Sequence, residues 1–222
     1  VSPSLTHGLA QGLACWPEEI ETLERLGAQN MTDLADSLTR HGIDADFHVP
    51  GEITMALTEH QVGTVREGYE LHRAHGIPVT LLDAAEARAR VNSPRYLSGF
   101  LDPTVGLVDP ARLVWGLADA AERLGVRLHE DTSVTGFDAD IAGVTVRTEW
   151  GSVRADRVVL GTGAFRGPLK RLAHYTLPVY DHVLMTEPLS PAQLDAVGWH
   201  GREGLTDAGN QFHYYRRTLD DR

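Results

Sequence analysis

Between Trp16 and Leu38 the apolar residues Ile20, Leu23, Leu26, Met31, Leu34 and Leu38 stand three to five apart. That spacing predicts an amphipathic helix. Pro17, with Glu18 and Glu19 behind it, suits the helix start, because proline is tolerated there and acidic side chains favour that end. Gly42 marks its close. From Phe47 to Leu57 the period changes to two, which predicts extended chain bent at Pro50-Gly51. Helical signals return over 60–75 and 83–91, the second opened by Asp83 and Glu86 at capping-box spacing. The clearest helix follows Asp109. Asp109 is the N-cap and Pro110 the first helical residue; Leu113, Leu117, Ala121 and Leu124 share a face, and Gly125 takes the left-handed close.

Val126 to Glu130 alternates as a strand, and short strands follow over 132–137, 144–148 and 152–155. Trp150-Gly151 is the turn between the last two. Val158-Val159-Leu160 is apolar throughout and reads as a parallel strand buried on both faces. Beyond it come a strand-like stretch over 179–187, a helix over 191–197 and an aromatic strand from Gln211 to Arg217. That last strand runs into the polar Thr218–Arg222 with no strand after it. A ribbon missing one strand is unstable, so the chain is expected to be interrupted there as well as at Val1.

Composition narrows the function classes. The 222 residues carry a formal charge of −11. Nucleic acid is a poor partner for such a balance, since its phosphates call for Lys and Arg. No apolar run approaches the roughly 18 residues of a membrane span, and no signal-peptide pattern is present. A single cysteine, Cys15, excludes an internal disulfide and a multi-Cys zinc site. A cytoplasmic, reducing setting is expected, and Cys15 is read as a buried structural thiol.

Eleven histidines invite a metal reading. His72 and His75 share a helix and His41 and His48 flank a loop, but neither pair has a carboxylate or third ligand at a recognisable spacing. They are read as solvated surface, with no metal expected. No Gly-x-Ser-x-Gly elbow is present.

The chemistry-bearing candidate is Val158-Val159-Leu160-Gly161-Thr162-Gly163-Ala164-Phe165. An apolar strand ending in two glycines presents bare backbone at the carboxyl edge of a sheet, where open α/β sheets bind ligands. A plain tight turn is the other reading of these residues. The Gly161, Gly163, Gly167 spacing is one residue longer than the dinucleotide fingerprint, and Pro168 follows at once. On the strand from Gln211 to Arg217, alternation sends His213 and Tyr215 one way and Phe212, Tyr214 and Arg216 the other.

The order helix, strand, meander, apolar strand, Gly-Thr-Gly resembles the second half of the FAD-binding domain in the D-amino-acid oxidase superfamily. Leu107 to Leu113 looks like the entry to that domain's crossover helix, and Thr132-Ser133-Val134 like the strand whose Val134 backbone meets the adenine. Pro178 to Ser190, Asn210 to Arg216 and Ser4 to Gly8 are similar to the branch containing gamma-glutamylputrescine oxidoreductase.

The resemblance implies an α/β fold: an incomplete, Rossmann-like FAD-binding domain interleaved with an antiparallel-sheet substrate domain. The implied boundaries put residues 1–46 and 109–168 in the FAD-binding domain and 47–108 and 169–222 in the substrate domain. Thr6, His7, Val134, Gly161, Thr162, Gly163, Ala164 and Phe165 are then the cofactor-side residues. Tyr215, followed by Tyr214 and Arg216, faces a small-molecule amine; sheet packing is the other reading of these three.

The implied activity is oxidation of a C–N bond to an imine, which water hydrolyses, with oxygen as the acceptor and peroxide as product. A dehydrogenase of the same fold using another acceptor, and a non-catalytic truncated copy, are the alternatives. The chain lacks the Gly-x-Gly-x-x-Gly turn at a helix N-terminus that usually holds a pyrophosphate, so these residues alone are expected to bind FAD weakly.

Overall fold

The computed structural model describes every residue except Thr6, His7, Arg166, Pro168, Ala173, Thr176 and Asn210, and of Leu172 the backbone alone. The chain divides into two compact units, one of residues 1–124 and 185–222, the other of 125–184.

The first unit opens with α1 (Gly8–Cys15) and α2 (Ile20–His41). Gly42 closes α2 in the left-handed conformation, φ 65°, its N–H on the Leu38 and Thr39 carbonyls. There follow β1 (Glu52–Ala56), α3 (Glu59–Ala74), β2 (Thr80–Leu82), α4 (Ala84–Arg90), β3 (Ser98–Asp102) and α5 (Pro110–Arg123). The capping box of α4 is present in both directions: Glu86 N–H donates to Asp83 Oδ1 at 2.8 Å and Asp83 N–H to Glu86 Oε2 at 2.9 Å. Asp109 caps α5 by accepting from the Ala111 and Arg112 N–H groups, both at 3.0 Å.

The inward side of α5 runs through Leu113, Gly116 and Ala120, whereas Leu117 and Leu124 are exposed. Gly116 is required there, because a Cβ would stand 2.2 Å from Ile43 Cγ2.

The second unit is an antiparallel meander of β4 (Val134–Asp140), β5 (Gly143–Thr148) and β6 (Gly151–Ala155), with a register shift between Val134 and Gly136. The predicted strand over 126–130 has no strand geometry. Nor does 158–160, where Val159 is 93% exposed. A parallel strand buried on both faces needs strands beside it, and among the described residues none pairs with these three.

The chain re-enters the first unit as an exposed, irregular stretch up to Leu189, in place of the predicted strand over 179–187. It then forms α6 (Pro191–Val197), β7 (Gly204–Asp207) and β8 (Tyr214–Tyr215). The five strands of this unit are ordered β2-β3-β1-β7-β8. β1 runs parallel to β7 and antiparallel to β3, and β7 runs antiparallel to β8.

Period-two alternation in β1 divides the core. Ile53 and Met55 join Leu82, Ala87, Val91, Tyr96 and Leu205; Ala56 joins Val65, Val79 and Phe100. The aromatic strand expected to lack a partner is therefore paired, and its partner precedes it in sequence. The segment after it is also tied in: Leu189 N–H donates to the Asp221 carbonyl at 2.8 Å, and Arg217 pairs with Asp221.

Two further expectations are corrected. Cys15 is exposed, because α1 turns Leu9 and Gly12 inward and leaves its last residue outside that stripe. His72 and His48 are half-buried: the His72 ring lies 5.4 Å from Phe100, and His48 Nδ1 is 2.8 Å from the Asp46 carbonyl. No helix among the described residues is long and apolar enough to cross a membrane.

Candidate active site

The β7–β8 hairpin concentrates the polar chemistry of the first unit. Leu205 stands opposite Tyr215 and Thr206 opposite Tyr214. Tyr215 turns its ring toward the Leu205 core, edge-on to Trp199 at 6.1 Å, and its hydroxyl lies 2.9 Å from that of Tyr96. Burial holds the Tyr96 hydroxyl well above the usual tyrosine range, and its hydrogen bond with Tyr215 and the Asp207 charge push the same way. Tyr214 is exposed, its ring edge-on to Phe212 at 4.7 Å. Arg216 directly follows Tyr215, the last residue of β8. Its Nη1 is buried without a hydrogen-bond partner. Burial raises the Glu52 carboxyl, an effect the Val1 amino group opposes and Asp102 reinforces.

Asp207 ends β7 and is the residue sequence reading missed. Its carboxylate accepts from Gly209 N–H at 3.0 Å, from His213 N–H at 3.0 Å and from His213 Nδ1 at 2.7 Å. Burial works against its charge, yet these donors outweigh burial and hold the carboxyl below its ordinary value. A depressed folded-state value stabilises the fold above the unfolded value near 3.9 and is lost as pH falls through the folded value. Wild type should therefore lose urea midpoint as pH falls below about 4. Asp207→Asn should show a flatter acid profile from a baseline about 1–3 kcal/mol lower, since one N–H goes unmet. A signal for β7 existed: Leu205-Thr206, an apolar and a β-branched residue, runs into the hairpin-loop residues Asp207-Ala208-Gly209.

The cofactor-side candidates lie in the second unit, apart from Thr6 and His7, which fall outside the described residues. Val134 opens β4 and is half-exposed. Gly161 has nothing within 4 Å of where a Cβ would stand, and Gly163 is left-handed at φ 56°. Phe165 N–H donates to the Thr162 carbonyl at 3.0 Å, closing a turn that carries Gly163 and Ala164. Phe165 itself is exposed. Among the described residues no group of three or more His, Cys, Asp or Glu side chains could hold a metal ion.

The α/β chain thus presents a mixed sheet edged by Tyr214-Tyr215 in one unit, and a meander followed by a bare glycine turn in the other. The chain belongs to the FAD dependent oxidoreductase family, which matches residues 4–222. It is 31% identical over 192 residues to gamma-glutamylputrescine oxidoreductase of Escherichia coli, covering 85% of this chain and 44% of that protein. It is 28% identical to probable oxidoreductase OrdL of Rhizobium meliloti, covering 95% and 51%. Among solved structures, glycine oxidase from Geobacillus kaustophilus superposes with a TM-score of 0.59 at 30% identity, over 64% of this chain and 40% of that one. The chain thus spans about half the length of the curated relatives it matches.

The family's cofactor is FAD. At Gly161 and Gly163 no atom lies within 4 Å of where a Cβ would stand, so the backbone of this turn faces open space. A Gly-x-Gly-x-x-Gly turn for the pyrophosphate is not among the 222 residues.

Proposed function

We propose that this chain supplies the substrate-side sheet and part of the cofactor site of an FAD-dependent enzyme that oxidises the C–N bond of an amine or amino acid, with oxygen as acceptor. On this reading it works joined to the remainder of the fold that its relatives carry beyond its span. When bound, FAD supplies the acceptor for the hydride leaving the substrate's α-carbon, and the protein supplies orientation and electrostatics. Val134 and Gly161 to Phe165 are the residues assigned to hold it, with Thr6 and His7.

The single observation that carries the substrate side is Arg216. A buried guanidinium nitrogen without a partner is costly, and an anionic group on the substrate would meet it. Carboxylate is the natural match, because Arg presents a planar fork of donors. Tyr214 would line the approach, and Tyr215, held by Tyr96 and Trp199, would keep the edge strand in place.

The test uses the full-length polypeptide that contains this chain. Peroxide formed in step with amine consumption supports the oxidase reading. Amine consumption that reduces an added dye without peroxide moves the assignment to a dehydrogenase of the same fold. Failure to consume any amine or amino acid by either route overturns the proposal in favour of a non-catalytic copy.

A further inference from the structure

Asp207 and His213 form a dyad at the mouth of the β7–β8 hairpin. The Asp207 side chain is 3% exposed while that of His213 is 74% exposed. The carboxylate takes both the backbone N–H and the ring Nδ1 of His213 on one oxygen, Oδ2, and Gly209 N–H on the other. An ionised carboxylate only accepts, so Nδ1 carries a proton, and in the neutral ring Nε2 holds the lone pair. The backbone contact of the same residue stops the ring from drifting, and the pair is a base held in one tautomer with its working nitrogen on the exposed side.

The dyad is open to solvent on the His213 side. Among the described residues, the Tyr96 hydroxyl lies within reach of the Asp207 charge and is paired with that of Tyr215. From α3, Gln61 brings a neutral amide near Gly209.

We infer that His213 Nε2 takes a proton from the substrate's ammonium group, with Asp207 as the positioning residue that fixes the ring. This inference rests on the amine-oxidising reading above. An alkylamine with a lysine-like value near 10.4 is neutral in only about one molecule in a thousand at pH 7.4, and an ammonium cannot release hydride from its α-carbon. The step is a proton transfer: the substrate N–H bond breaks, the Nε2–H bond forms, and the amine keeps the electron pair. The imidazolium charge is matched by Asp207, and the proton passes to water from the exposed ring.

Two measurements test it. In the full-length flavoenzyme, His213→Gln should lower kcat/KM for an amine by about 100-fold at neutral pH, and the deficit should shrink as pH rises toward the amine's own pKa. In this chain, long-range proton–nitrogen NMR correlations should show His213 protonated on Nδ1, and Asp207→Asn should release the ring into both tautomers. Amine turnover with an unchanged pH profile in His213→Gln overturns this assignment and leaves the functional reading intact. A His213 ring protonated on Nε2 overturns it as well. A wild-type enzyme that turns over no amine overturns both.

Discussion

Arg216→Met is expected to lower kcat/KM for carboxylate-bearing amines by about 100-fold or more in the full-length flavoenzyme, while simple alkylamines lose little. Removing one partner of a buried hydrogen-bonded charge pair costs about 2–5 kcal/mol, and every 1.4 kcal/mol is tenfold. The same substitution is expected to leave the fold of this chain as stable as wild type, or more so. Arg216 Nη1 is buried without a partner, and an apolar side chain of similar reach ends that cost. The opposite signs are the diagnostic: a purely structural arginine would lose stability and substrate binding together. Urea midpoints for the chain and steady-state kinetics on the two amine classes read both.

Leu205→Ala is expected to cost about 3 kcal/mol, within the range for fully buried leucines. Leu205 is 1% exposed, lies between β1 and β8 in the sheet and packs with Ile53, Met55 and Tyr96. The cavity would open beneath Tyr215, so the Tyr96–Tyr215 hydroxyl contact should loosen too. A drop in melting temperature of roughly 6–12 °C follows for a chain of this size. Thermal unfolding followed by circular dichroism checks the size, and tyrosine fluorescence checks whether the edge strand loosens with the core.

The parts legible from sequence were those whose signals are local. Asp109-Pro110 and Asp83 with Glu86 announce helix starts through side chains that reach their own first turn. The meander over β4–β6 announces itself by alternation and by the Trp150-Gly151 turn. Misreadings came where burial depends on distant partners. Val158-Val159-Leu160 looks like an interior strand by composition, but composition cannot say which strands flank it, and none among the described residues does.

β7 was missed because its four residues form a strand only by lying beside β1, some 150 positions earlier. With β7 unseen, the aromatic strand looked unpaired and Asp207 had no visible role. His213 was legible as a residue on that strand; its buried carboxylate partner, six positions away around a turn, was not. Tyr215, expected to face a substrate, hydrogen-bonds Tyr96 and lies edge-on to Trp199; the proposed substrate contacts are therefore Arg216 and His213.

The most direct test of an FAD-dependent C–N oxidation is anaerobic mixing of the full-length, FAD-loaded enzyme with an amine, an amino acid and a matched 2-hydroxy acid, following flavin absorbance. A nitrogen-bearing substrate should bleach the flavin, and the hydroxy acid should leave it oxidised. Bleaching by the hydroxy acid alone, or by none of the three, would contradict C–N oxidation.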